Sequence, residues 1–136
     1  MSRLIDELKK DHVQIEEMLN RVKDTTITNK EAHRILVAAQ NTLLAHLRKE
    51  DAQLYPVLNR ASQTDQALKR TVDFYAKDMD EISSNAIAFF KKYAADDAQI
   101  DIEFARALGR LFATISRRLR SEENTLYAAY DKLSPV

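Results

Sequence analysis

Four stretches of the chain place their apolar residues at alternating steps of three and four, a period that fits one face of a helix and not a strand. In the first the stripe is Ile5, Leu8, His12, Ile15, Leu19 and Val22, and in the second Leu36, Ala39, Leu43, His46, Glu50, Leu54 and Val57. The third runs through Leu68, Val72, Tyr75, Met79, Ile82, Ala86, Phe89 and Tyr93. The fourth runs through Phe104, Leu108, Leu111, Ile115, Arg118, Glu122, Leu126 and Ala129. One glycine and two prolines in 136 residues argue for helices and against a turn-rich β fold. Thr28-Asn29-Lys30-Glu31 has the spacing of a capping box that opens the second helix. Ser62 to Asp65 separates the second and third helices, and Ala95-Asp96-Asp97 separates the third and fourth, with an Asp as N-cap. Loops this short make consecutive helices antiparallel neighbours. Residues 1–136 are therefore expected to form a single all-α domain, an up-down-up-down antiparallel four-helix bundle. Pro56 falls inside the second helix and is expected to bend its last turns.

Composition removes several function classes. With no cysteine, disulfides, thiolate metal sites and cysteine nucleophiles are excluded, and the chain fits a reducing cytoplasm, where it is expected to reside. The 21 basic and 21 acidic residues cancel, so no charge excess points to nucleic acid or to an anionic membrane. Met1-Ser2-Arg3-Leu4-Ile5-Asp6-Glu7 carries charge where a signal peptide needs an apolar run, and no stretch is apolar enough to span a bilayer. No nucleophile, glycine-rich loop or acid–base pair lies outside the stripes, so an enzyme is not expected.

The informative residues are the polar ones inside the stripes: His12, His46, Glu50, Arg118 and Glu122. Buried polar groups need partners, so these should meet one another. A His and a Glu four apart lie one turn from each other on one helix face, where an imidazole nitrogen and a carboxylate oxygen can converge on one metal ion. The chain also repeats itself. Lys10-Asp11-His12-Val13-Gln14-Ile15 matches Lys77-Asp78-Met79-Asp80-Glu81-Ile82. His46-Leu47-Arg48-Lys49-Glu50 with Leu54-Tyr55 matches Arg118-Leu119-Arg120-Ser121-Glu122 with Leu126-Tyr127. The first half thus offers His12, His46 and Glu50, and the second Met79, Arg118 and Glu122.

A His on the first helix, His-x-x-x-Glu on the second, and the same pattern again on the third and fourth resembles the hemerythrin (HHE cation-binding) family. Asp11-His12 followed by Ile15, and His46-Leu47-Arg48-Lys49-Glu50 followed by Leu54-Tyr55-Pro56, carry the resemblance, which covers nearly the whole chain. It implies that each half supplies histidines to one iron and that the carboxylates of the two motifs bridge the pair. It also implies oxygen binding, oxygen or redox sensing, or handling of iron or nitric oxide. The chain departs from that pattern at Met79 and Arg118. Thioether sulfur is a poor ligand for such iron, and a guanidinium stays protonated and does not ligate, so a di-iron site is not expected.

Two readings of the remainder compete. In the leading one the metal is gone, Arg118 bridges Glu50 and Glu122, and the domain is a regulatory protein that binds a protein partner or a second copy of itself. Anti-sigma regulators of bacteria that resemble this family support it by analogy. In the alternative, His12, His46, Glu50 and Glu122 hold a single divalent ion, iron first among them, that binds or senses a small molecule such as oxygen or nitric oxide. His33 lies about 220° around the helix from His46 and roughly 20 Å along it, and is expected on the surface. Met79 reads as core packing and Tyr75 as core with a polar tip, while Asp78 and Asp80 read as solvated. Tyr55 and Tyr127 are expected to cover the open end of the bundle. Gly109 costs helix stability and is a candidate for a close helix contact.

Overall fold

The second, third and fourth rods of the bundle each begin where a side chain caps them. The computed structural model describes residues 3–24, 26–95 and 99–133. In order these form α1 (Arg3–Val22), α2 (Asn29–Lys49), a π-helical turn (Glu50–Leu54), α3 (Tyr55–Ser62), α4 (Gln66–Tyr93), α5 (Ile102–Ser121), a second π-helical turn (Glu122–Leu126) and α6 (Tyr127–Leu133). The Thr28 hydroxyl accepts from the Glu31 backbone N–H at 3.1 Å, as the capping pattern requires, and the Glu31 carboxylate pairs with Arg34 at 3.4 Å. Asp65 caps α4 through the Leu68 N–H at 3.1 Å. Asp101 caps α5 through the Phe104 N–H at 3.0 Å. The Asp expected to cap that helix was Asp96 or Asp97, which lie outside the described residues; the cap in use is several residues later.

The α2–α3 and α5–α6 pairs run on through their π turns, so the chain makes four rods. Contacts join α1 to α2, α2 and α3 to α4, α4 to α5, and α5 back to α1, a ring in chain order that gives the expected all-α bundle. No strand occurs among the described residues. No described helix is long and apolar enough to cross a membrane.

The interior has two apolar clusters rather than one. One is built from Ile15, Leu19, Leu36, Ala39, Ile82 and Leu108 with their neighbours, and the other from Ile5, Leu8, Leu54, Leu58, Val72 and Leu126 with theirs. Three rods pass from one cluster to the other through polar positions, His12 on α1, His46 and Glu50 on the second rod, and Arg118 and Glu122 on the fourth, while α4 passes through Met79. Packing of the two apolar layers therefore fixes the height at which the polar side chains meet.

The π turns correct the helical reading. The Tyr55 N–H reaches back five residues to the Glu50 carbonyl, and the Tyr127 N–H to the Glu122 carbonyl. Each π turn takes in one more residue per turn than an α-helix, and the buried face after it slips accordingly. Leu58 and Tyr130 are buried, where an uninterrupted period predicts Val57 and Ala129, which are only partly buried. Pro56 does not cause the irregularity. It sits in the first turn of α3, where a missing N–H is tolerated, and its counterpart Ala128 follows the same kind of π turn.

Gly109 has no packing role. A Cβ built there meets nothing within 4 Å, so the glycine does not serve a close helix contact. Gly109→Ala should therefore stabilise α5 and raise the unfolding free energy by about 1 kcal/mol. Urea denaturation of the two proteins checks this, and an unchanged or lowered midpoint would contradict it.

Candidate metal centre

Between the two apolar clusters, His12, His46, Glu50 and Glu122 are all buried, each at 2% exposure or less. Each offers one ligand-type atom, and the four atoms lie within 4.8 Å of one another, close enough to share one ion. His12 Nε2 is 3.2 Å from Glu122 Oε1, and His46 Nε2 is 3.4 Å from Glu50 Oε2. Two rods and α1 thus bring together the four residues that the sequence picks out.

Carboxylates outside the cluster orient both imidazoles. His46 Nδ1 lies 3.0 Å from Asp11 Oδ2, and Lys49 holds the same oxygen at 3.0 Å. His12 Nδ1 lies 2.7 Å from Glu123 Oε2. A ring nitrogen that donates to a carboxylate fixes the tautomer and turns the other nitrogen, Nε2, toward the centre, the arrangement found behind metal-ligating histidines. Burial alone would raise the Asp11 pKa, but its bonds to His46 and Lys49 hold it below the ordinary value. Asp11 and Glu123 were not singled out as functional from the sequence. The available signal was adjacency, since Asp11 precedes one candidate ligand and Glu123 follows another.

Tyr127 is the second addition. It is 1% exposed, and its hydroxyl lies 2.7 Å from Glu50 Oε2, 2.9 Å from His12 Nε2 and 3.4 Å from Glu122 Oε1. It does not cover the end of the bundle as expected; the π turn before it rotates it in beside three of the four ligand residues. Burial, with the charges of Glu122 and Glu50, pushes its pKa far up. Tyr55 is also displaced from the expected role. Its hydroxyl accepts from Arg118 Nη2 at 3.3 Å.

Arg118 does not bridge Glu50 and Glu122. Its Nε donates to Glu122 Oε2 at 3.1 Å, and Nη1 donates to Asp78 Oδ2 at 2.9 Å. Its guanidinium carbon stands 4.6 Å from the centre of the Tyr75 ring. Burial would lower its pKa, but Glu122, Tyr55 and Asp78 raise it, so the group is a fixed cation. The geometry follows from the repeat: Asp78 holds Arg118 just as its counterpart Asp11 holds His46. Asp78 is therefore an ion-pair partner and not merely solvated. Tyr75 behaves as read, with its ring buried and its hydroxyl donating to the Ser121 carbonyl at 3.1 Å. Met79 packs against the apolar core as expected, and Asp80 is exposed.

His33 overturns its expectation. It is 5% exposed, and its Nδ1 lies 3.0 Å from the Tyr93 carbonyl. α2 begins beside the end of α4, whose last carbonyls have no partner within their own helix, and the imidazole satisfies one of them. It remains far from the cluster, so it is a structural residue.

The cluster is rich in acceptors and poor in protons. When both imidazoles are neutral and each Nδ1 proton is committed to a carboxylate, both Nε2 atoms present lone pairs toward two carboxylates, and one phenolic proton serves them all. His46 Nε2 and Glu50 Oε1 have no hydrogen-bond partner among the described residues. Buried polar atoms without partners are costly, and a cation between them removes the cost, so the residues present fit a metal ion. The chain belongs to the hemerythrin HHE cation binding domain family, which matches residues 3–130. No curated protein and no solved structure matches the chain significantly. Domains of this family bind metal cations, and the His/Glu cluster is where such an ion fits in this one.

Without a metal, a proton on His46 is the available substitute. Burial pushes its pKa down, but Glu50, Asp11 and Glu122 outweigh that and raise it from 6.5 to about 8. A raised folded-state value contributes stability that is fully present below 6.5 and is lost as pH rises through about 8. The metal-stripped protein should therefore lose on the order of 2 kcal/mol of unfolding free energy between pH 6 and 9. Denaturant titrations in chelator would show this. A stability that stays flat over that window would contradict a charged His46.

Proposed function

We propose that this domain binds one iron ion per chain instead of two, and that Arg118 stands permanently in place of the second cation. The observation that carries the reading is the convergence of four ligand atoms on one point, with His46 Nε2 and Glu50 Oε1 lacking any other partner among the described residues. Two imidazoles with carboxylates form a donor set suited to non-haem iron with open positions. Arg118 engages the far oxygen of Glu122 and leaves Oε1 toward the cluster, so the guanidinium compensates one carboxylate without occupying the ion's place.

The open side of the site supports a small-molecule ligand. A cleft of about 420 Å³ lies between the first π turn and α4, lined by Glu50, Asp51, Tyr55, Val72 and Met79 among others. Met79 stands where the repeat would place a histidine, so the loss of that ligand coincides with a way in toward Glu50. A diatomic molecule such as oxygen or nitric oxide fits the role, which is binding or sensing and not turnover.

The second reading, a metal-free bundle acting on a protein partner or on a second copy of itself, has one observation in its favour. A proton on His46 balances the same buried charge that a metal would. Metal analysis of protein from iron-supplied cells separates the two. The single-ion reading predicts about one iron per chain, lost in His46→Ala, and a second iron bound by Met79→His with Arg118→His. Less than a tenth of an iron in the parent chain would favour the metal-free reading, and two irons in the parent would contradict both.

A further inference from the structure

The single-ion reading leaves the Tyr127 hydroxyl unexplained, because it lies beside three of the four ligand residues. We propose that Tyr127 is a fifth ligand of the ion, coordinating through its phenol oxygen as phenolate when the iron is ferric. The proposal rests on that reading and adds a ligand to it.

The distances carry the argument. Two ligands on adjacent vertices of an octahedron, each about 2.1 Å from the ion, are about 3 Å apart. The Tyr127 oxygen is 2.9 Å from His12 Nε2, 2.7 Å from Glu50 Oε2 and 3.4 Å from Glu122 Oε1, so it holds the position of a vertex shared with three of the four other ligands. Hydrogen bonding alone accounts for these contacts poorly. The hydroxyl has one proton, and while His12 is neutral with its Nδ1 proton on Glu123, His12 Nε2, Glu50 and Glu122 all present lone pairs, so two of the three contacts then set acceptor against acceptor. A cation among them makes every contact favourable.

The oxygen is also held in place. The Tyr127 ring stacks on His12, with centroids 5.4 Å apart and planes 24° apart, and the π turn before it fixes its direction. Charge suits the ferric state. Glu50, Glu122 and a phenolate bring three negative charges to the ion, and among the described residues one guanidinium, Arg118, faces them. Phenolate is a hard, anionic oxygen donor, and tyrosine is an established iron ligand in other settings. In forming the bond, the phenol O–H breaks, an O–iron bond replaces it, and one proton leaves to solvent; no electron is transferred when the iron is supplied as ferric. Tyr55 is the natural control, since its hydroxyl is bonded to Arg118 instead.

The test is to load the full chain with ferric nitrilotriacetate, remove excess, count iron, and record visible absorption and resonance Raman spectra. The expected result is a phenolate-to-iron charge-transfer band with enhanced phenolate ring vibrations. Both should be lost in Tyr127→Phe, which still binds iron, and retained in Tyr55→Phe. Bound iron without the band in the parent chain, or a band that survives in Tyr127→Phe, overturns the proposal and leaves the single-ion reading standing. A parent chain that binds no iron overturns both. If Tyr127→Phe does not fold, the parent and Tyr55→Phe still decide, because a missing band, or one that Tyr55→Phe removes, excludes Tyr127.

Discussion

Glu50 and Glu122 face each other's surroundings in the middle of the bundle, sealed between two apolar layers. Among the described residues only one permanent cation, Arg118, comes within hydrogen-bonding reach of either, and it reaches only Glu122. Removing two carboxylates from water costs several kcal/mol each unless the charge is matched. The rest of the centre answers that imbalance. His12 and His46 turn their Nε2 atoms inward, Tyr127 brings the one available hydroxyl, and Asp11 and Glu123 hold the imidazoles from behind. The remaining negative charge is an invitation to a proton or to a metal ion, and the unpartnered atoms of His46 and Glu50 say where it goes.

The internal repeat shows how the two halves of the centre differ. Asp11 holding His46 and Asp78 holding Arg118 are the same contact made twice, and each tyrosine after a π turn points back at the layer. The backbone scaffold is therefore intact in both halves. What differs at the ligand-type positions is two side chains: Arg118 is the counterpart of His46, and Met79 the counterpart of His12. Arg118 brings a positive charge beside Glu122, which lets that carboxylate stay buried. Met79 offers only a thioether and lines a cleft beside Glu50.

Much of this was legible in the sequence because periodicity is a local signal. Each stripe named its buried face, and polar residues in a stripe could only be core residues that meet one another. The parts that were not legible share a cause. A π turn leaves no mark in a pattern that tolerates steps of three and four, so Val57 and Ala129 were placed on the buried face that Leu58 and Tyr130 take, and Tyr127 was placed at the end of the bundle. His33 was misplaced because its partner is a backbone carbonyl at the end of α4, a feature of the assembled bundle and not of α2. Asp11, Glu123 and Asp78 lie off the stripes, where charged residues are usually solvated, and only the packing of neighbouring rods brings them onto the layer. The direction of the Arg118 side chain was equally out of reach, because Glu50 and Asp78 are both compatible partners by spacing.

The central claim is that one ion and one guanidinium now do what two ions do in a symmetric centre. Anomalous diffraction at the iron edge from crystals of the iron-loaded chain tests it most directly. The account predicts a single anomalous peak per chain, bounded by His12, His46, Glu50 and Glu122, with Arg118 still paired to Glu122 and Asp78. A second peak beside Met79 and Arg118, or a single peak on that side of the layer, would contradict it.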